Sequence, residues 1–404
     1  MKFQKISSRC ITITISKEKE VQSSLNKELE QKLKELGAIR VGFVTLETLA
    51  GGPEGANLKY LLPSAESAVC WAIPLQRDLI RPYLGKTSPT ARGDHEKDNI
   101  EINVKSTEMS EIIAEFLVKK GYEAAMVVAN NKYREDVPGW NASLPPEISL
   151  RYLATRSGVA SFGWSGNVGI KEYGTAIILG ATITNAKLEP TDPLPAEESF
   201  CNECKLCTRV CAYQMFSPDE KIEVSLGGHV FSYSKRVDKL RCVLTCGGFN
   251  GLHKSGKFSS YSPGRYDYPE TTTEVRRVLA AAMSAQRKRP LIKDNSTGFI
   301  PSSFSGGKGA PSLPTEETKN DVVQLTCGNC AVICWGDPKE TATNYKILAN
   351  SGCIIQREDG TLEALPPDKA KEEFEKMPLK RQRWYRKDYK KKMRRNTGPT
   401  AMMP

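Results

Sequence analysis

The run CNECKLCTRVC, residues 201 to 211, spaces four cysteines by two, two and three residues, and a shorter run, CGNCAVIC, follows at residues 327 to 334. This spacing suits a cubane. Three closely spaced thiolates take three irons of one [4Fe–4S] cluster, and the fourth, three residues on, points away to a second cluster. If Cys201, Cys204 and Cys207 hold the first cluster, Cys211 leaves for the second, and the first needs a donor from elsewhere. Cys334 can cross back to supply it, while Cys327 and Cys330 stay with the second cluster. That cluster is then one ligand short. RCVLTC (241 to 246) lies between the runs and offers Cys242 or Cys246, which closes the set at eight. A pair of structural zinc sites would also use eight cysteines, but zinc knuckles favour two separated pairs over a triple plus one. Cys10, Cys70, Cys353 and the unused member of Cys242 and Cys246 read as small buried side chains.

Composition sets the compartment and the class. The chain has 404 residues, 39% hydrophobic and 26% charged, which fits one or two soluble globular domains. No stretch reaches the roughly 18 to 20 apolar residues needed to span a bilayer. The N-terminal stretch MKFQKISSRCITITISKEKE has no long apolar core and no twin arginine, so the expected location is the cytoplasm. Twelve cysteines in a reducing compartment argue for metal ligation over disulfides. The net charge of +11 is concentrated in KRQRWYRKDYKKKMRR, residues 380 to 395, where ten basic residues face one acidic residue. The body is nearly neutral, and the basic tail reads as a solvated end or as a contact for RNA, an acidic protein or an anionic membrane surface.

The apolar pattern predicts a mixed α/β domain over residues 1–190. It contains a polar helix at 20–36, strands at 41–46, 68–75, 124–129 and 175–184, and a helix at 102–121. Val104, Met109, Ile112, Ile113, Phe116 and Leu117 are expected on one face of that last helix. No glycine fingerprint of a dinucleotide fold or a P-loop occurs. EPTDPLPAEESF (189 to 200) connects to the cysteine region, 191–376. Residues 247–325 read as a long, partly irregular insertion with one helical candidate at 273–288, and residues 377–404 as the tail.

With these motifs in place, the chain resembles the epoxyqueuosine reductase and reductive dehalogenase superfamily of corrinoid iron–sulfur enzymes. LLPSAESAVCWAIPL looks like that family's entry strand, and ARGDH (91 to 95) is similar to its Arg-Gly-Asp-(Tyr)-His segment. RYLATRSGVASFGWSGN (151 to 167) is similar to its Leu-Ala-x-x-x-Gly-(Leu)-Gly-Trp-x-Gly-Lys/Asn stretch, with about three extra residues here. The resemblance covers residues 37 to 246 and resumes at 325 to 336. It implies a nitroreductase-like N-terminal domain holding cobalamin, followed by a bacterial-ferredoxin-like double [4Fe–4S] module. Arg92, Asp94, His95, Trp164, Gly166 and Asn167 are the positions it places at the corrinoid. It also favours Cys242 over Cys246, because RC242 sits like the family's lone intermediate cysteine.

Two departures stand out. Ala212 replaces the proline usual after the fourth cysteine, a residue that shapes a turn and binds no iron. The family's Asp-Thr-Ala-Pro segment, whose aspartate donates a proton, corresponds here to WNASLPPEISLRYLA, where Glu147 or Tyr152 stand as the candidate acids. The expectation is an iron–sulfur oxidoreductase that receives electrons from an external low-potential donor of ferredoxin or flavodoxin type. It would pass them through two clusters to a cobalamin site that reduces a small or nucleoside-like substrate. The alternatives are a two-cluster electron-transfer protein with no substrate site, and a flavin-dependent reductase, since the N-terminal fold class also houses flavins.

Overall fold

The architecture comes from a computed structural model, which describes residues 23–129, 133–290, 292–294, 298–299 and 326–386. Its first half is built on a four-stranded antiparallel sheet whose strands, in spatial order, are Arg40–Thr45, Ser67–Pro74, Ile177–Thr184 and Ala124–Val127. Helix α1 (23–35) leads into β1 (Arg40–Thr45) and β2 (Ser67–Pro74). Helices α2 (Arg77–Gly85) and α3 (Ala91–Lys119) then precede β3 (Ala124–Val127). Short α4 (Trp140–Ser143), α5 (Leu150–Arg156) and the two-residue strands β4 (Ser161–Phe162) and β5 (Val168–Gly169) come before β6 (Ile177–Thr184).

Strand periodicity explains why β2 is buried on both faces. Val69, Trp71 and Ile73 point into a core with Leu25, Leu29 and Leu33 of α1 and Met109, Ile113 and Leu117 of α3. Ala68, Cys70 and Ala72 point the other way, onto Leu153 and Ala154 of α5. Each fully buried aliphatic side chain contributes about 1.5–3 kcal/mol. Of the residues expected on one face of α3, Ile112 is exposed, because it lies off the row that Met109, Ile113 and Leu117 make at four-residue spacing. Helix α3 also lies close on β6, where Ser106 and Ser110 donate to the carbonyls of Leu179 and Ala181. Gly180 permits this approach, since a Cβ there would stand 2.4 Å from the Ser106 hydroxyl. The helix starts eleven residues before its expected beginning of 102, so ARGDH forms its first turns.

The cysteine region is layered onto the end of this sheet. After α6 (Leu206–Arg209) the chain makes a hairpin of β7 (Phe216–Leu226) and β8 (His229–Arg236), then α7 (Leu240–Cys246) and α8 (Thr272–Gln286). Thr271 and Glu274 cap α8 reciprocally. The short strands β9 (Lys293–Asp294) and β10 (Gly298–Phe299) pair with each other. Then come α9 (Asn329–Val332), α10 (Pro338–Ala349), the pair β11 (Cys353–Gln356) and β12 (Leu362–Leu365), α11 (Pro367–Lys376) and α12 (Leu379–Tyr385). One core crosses the expected division at residue 190: Leu75, Ile80 and Tyr83 pack with Val210, Val332, Ile333 and Trp335. The guanidiniums of Arg77 and Arg81 lie over the Trp335 ring at 4.9 and 4.3 Å.

Two expected irregular segments hold ordered structure at their near ends. Within the insertion, Phe249, Tyr266, Val275 and Val278 form a core with Tyr213 and Leu244. The basic segment begins inside the fold, since Tyr385 is buried beside Ile355, Ala370 and Phe374 and its hydroxyl donates to Gln356 Oε1 at 3.0 Å. An aromatic ring among the arginines supplied the apolar anchor. Cys10, most of 291–325, and the tail beyond residue 386, with Tyr389, lie outside the described residues.

Candidate functional site

The local backbone of the first run presents its sulfurs together. Glu203 and Lys205 both take left-handed conformations, with φ of 57° and 60°, which turn successive amides toward one side before α6 begins. Cys201, Cys204 and Cys207 line one pocket with Cys334 from the second run, alongside Trp164, Ser165 and Thr341. Donors surround these sulfurs. The Trp164 amide donates to Cys201 Sγ at 3.3 Å, and the Thr341 hydroxyl to Cys334 Sγ at 3.7 Å. The Ser165 hydroxyl also hydrogen-bonds Cys207, whose thiol burial nonetheless pushes up to about 11.

A second group gathers around Cys330 of α9. Burial pushes the Cys330 thiol well up, and the neighbouring Cys242, Cys327 and Cys211 sulfurs push it further. Cys211 is raised to about 12 by burial, opposed by the Met215 amide, which donates to its sulfur at 3.3 Å. Cys327 goes the other way, down to about 7, chiefly through a hydrogen bond from Cys246 and with help from the Asn329 and Gly328 amides and from Lys86. Cys242 and Cys246 lie on α7 with sulfurs 3.4 Å apart. The second group therefore holds five thiols: Cys211, Cys242, Cys246, Cys327 and Cys330. Cys334 lies with Cys201, Cys204 and Cys207, and Cys211 lies near Cys242, Cys327 and Cys330. Cys353 is buried elsewhere, in the core with Tyr385, and Cys70 in the sheet core.

The two groups fit the clusters they were assigned. Each offers at least four thiols, and amide or hydroxyl donors reach sulfurs in both, as a negatively charged cluster needs. Among the described residues no three His, Cys, Asp or Glu side chains converge as a single metal ion asks. A cubane makes no such demand, because each thiolate holds a different iron.

The positions expected at a corrinoid do not assemble into a cradle. Trp164 lines the first thiol pocket, its ring flanked by the ammonium groups of Lys205 and Lys221 at 4.2 and 4.8 Å. Gly166 has φ of +73°, but its open side is filled by protein: a Cβ there would stand 2.6 Å from the Tyr233 ring. The Asn167 amide donates to the Cys330 carbonyl at 2.9 Å. On α3, Arg92 pairs with Glu96 at 2.8 Å, both buried, and Asp94 is half-buried in the first turn. His95 is buried with its ring centroid 4.6 Å from that of Tyr83; its Nδ1 has no hydrogen-bond partner, and burial lowers its pKa to about 4. Tyr83 in turn neighbours Cys327 and Cys246, so this part of α3 backs the second thiol group.

Of the candidate acids, Glu147 is half-buried in the segment before α5. Tyr152 lies on α5 with its hydroxyl 3.3 Å from that of Tyr233. Burial and that contact raise its pKa, so the phenol stays protonated at neutral pH. Sequence reasoning missed Tyr233 and its neighbours Arg151, Arg236 and Lys239, for which no motif gave a signal.

No family model matches the sequence, and no curated protein matches it. Several solved structures are similar to the fold. An epoxyqueuosine reductase shares 20% identity over 48% of this chain and 53% of its own, with a TM-score of 0.31. The epoxyqueuosine reductase from Bacillus subtilis shares 15% over 89% of this chain and 88% of its own, at 0.34. A reductive dehalogenase described as B12-dependent shares 13% over 84% of this chain and 48% of its own, at 0.39. The chain thus spans about half the length of the first and the last of these. Among the described residues no helix is long and apolar enough to cross a membrane.

Proposed function

We propose that this chain is an iron–sulfur oxidoreductase that carries two [4Fe–4S] clusters and passes electrons between an external donor and a bound substrate. One observation carries the reading: the thiols of two distant motifs sort into two groups that exchange one member each. Cys201, Cys204, Cys207 and Cys334 would hold the first cluster, and Cys211, Cys242, Cys327 and Cys330 the second. When bound, each cluster takes up and releases one electron at a time. The chain's own part is to give up the thiol protons on loading, which burial opposes at Cys207, Cys211 and Cys330. The amides of Trp164 and Met215 then hold charge on Cys201 and Cys211.

At the substrate side, the Tyr152 phenol is a neutral proton donor, paired with the Tyr233 hydroxyl. It is a better candidate than Glu147, because Tyr233 orients its hydroxyl. The likeness to epoxyqueuosine reductases and reductive dehalogenases suggests a reduction, in the cytoplasm, fed by a low-potential donor of ferredoxin or flavodoxin type. Gly166 faces Tyr233, Asn167 is tied to Cys330, and Arg92 to Glu96, so the residues named for a corrinoid are already engaged.

Anaerobic reconstitution tests the reading. About eight iron and eight acid-labile sulfide per chain are expected from the ligand count. Two zinc ions and no sulfide would end it. Denaturing extraction of the anaerobically purified protein then separates three cases. A corrinoid or a flavin in the extract identifies the substrate-side cofactor, and the absence of both favours a protein that only transfers electrons.

A further inference from the structure

Five thiols stand where one cubane takes four, and two of them touch. Cys242 and Cys246 lie on α7 with their sulfurs 3.4 Å apart. The thiolates of a cubane reach different irons and point away from one another, so two sulfurs in contact serve one cluster in turn and not together. The fifth thiol is left with a neighbouring thiol as its partner. Cys242 is half-buried and Cys246 exposed, so small solutes reach this pair, whereas Cys70 and Cys353 are buried in separate cores.

A disulfide between them is within reach of the backbone. Residues four apart in a helix stand about 6 Å apart at Cα, inside the roughly 4.4–6.8 Å that a disulfide spans. Their Cβ atoms, about 5–6 Å apart in a regular helix, must close to about 3.5–4.5 Å. The end of α7 can supply that movement. Cys246 is its last residue, and Gly247 and Gly248 follow, the second at φ of +75°. Two glycines let the last turn rewind at small steric cost. In the reduced form the Thr326 hydroxyl holds that turn, donating to the Cys246 carbonyl at 2.7 Å.

We propose that Cys242 and Cys246 form a reversible disulfide on exposure to peroxide, which takes Cys242 out of the ligand set of the second cluster. Hydrogen peroxide oxidises one thiol to a sulfenic acid; its O–O bond breaks and water leaves. The other thiol attacks that sulfur, the S–S bond forms, and a second water leaves. The pair gives up two electrons and two protons in all, and a dithiol reductant returns them. Closing the bond keeps Cys242 from the irreversible sulfinic and sulfonic states. Bond formation depends on these two thiols alone. Only its effect on iron rests on the assignment of Cys242 given above.

The test is peptide mapping of the full chain, isolated anaerobically and treated with limited hydrogen peroxide. After free thiols are alkylated and the chain is cut with trypsin, both cysteines stay on one peptide, CVLTCGGFNGLHK, residues 242–254. That peptide is expected unalkylated and lighter by two hydrogens, and it should take two alkyl groups when dithiothreitol precedes alkylation. Iron reloaded after dithiothreitol should be higher in the wild type than in Cys246→Ser by as much as one cluster, about four iron per chain. Oxidation at the other cysteines is common to the two proteins and cancels in this difference. A peptide with both thiols alkylated after peroxide, or a link from Cys246 to Cys327, overturns the proposal. So does equal recovery by two proteins that both held iron before treatment. A wild type that forms the bond yet never takes up iron would sink the two-cluster reading and leave the bond standing.

Discussion

His95 should make the folded protein sensitive to mild acid, by an amount that follows from its surroundings. The ring is 1% exposed, covered by Tyr83, and burial lowers its pKa from 6.5 to about 4. Between those two values the unfolded chain takes up a proton that the folded chain refuses. Stability is therefore full above about pH 6.5, falls as the pH drops, and stops falling near pH 4, where both states are protonated. The whole window spans about 2.5 units, or about 3 kcal/mol at 1.36 kcal/mol per unit. Going from about pH 7.5 to about pH 5.5 collects roughly 1.3 kcal/mol of it.

The assay is urea unfolding of the wild type and of His95→Gln at those two pH values. The glutamine variant will be weaker at both, since it fills the site less well. Its loss on acidification should nevertheless be smaller than that of the wild type by about 1.3 kcal/mol. Every other titrating group contributes equally to the two proteins and cancels in this difference. Equal acid losses would refute the reasoning, and would mean that His95 reaches solvent or a ligand and titrates normally.

Other outcomes follow from the same packing. Cys242→Ser should lose or degrade one cluster, with iron and sulfide falling well below about eight per chain, while Cys246→Ser keeps both; the reverse pattern in iron content and electron paramagnetic resonance would move the ligand to Cys246. Tyr385→Ala should lower stability by about 3 kcal/mol, read as a drop in Tm, because it empties a buried site and unpairs Gln356; a change near zero would return the start of the basic segment to a solvated tail.

Local pattern and distant convergence divide what the sequence could disclose. The sheet strands were legible because apolar runs such as SAVCWAIP have one extended reading at that length. The grouping of the cysteines was legible in part, because each run keeps its thiols within a few residues and Cys334 lies in one pocket with Cys201, Cys204 and Cys207. The start of α3 was not. ARGDHEKDN is too polar to announce a buried helix, and it is buried by pairings that only the fold supplies: Arg92 with Glu96, and the Asp98 carboxylate accepting from the Gln76 amide. Tyr385 was hidden for a related reason, since ten basic residues in its segment outweigh the three aromatic rings there in a composition window.

The second thiol group shows where counting stops. A cubane takes four thiolates, and five stand here, two of them a helical turn apart on α7 with sulfurs in contact. Four-residue spacing puts Cys242 and Cys246 on one face of a helix, so neither the spacing nor the helix chooses between them. Their surroundings differ. Cys242 is half-buried and lies within electrostatic reach of Cys211, Cys327 and Cys330, completing a set in which every member senses the others. Cys246 is exposed and hydrogen-bonds to Cys242 and Cys327. A cubane held through Cys242 would find its other three thiolates already placed, whereas a choice of Cys246 would leave the half-buried Cys242 thiol beside it with no iron to bind. Preorganisation of the remaining three ligands favours Cys242, on the same side as the residue order RC242 in the sequence.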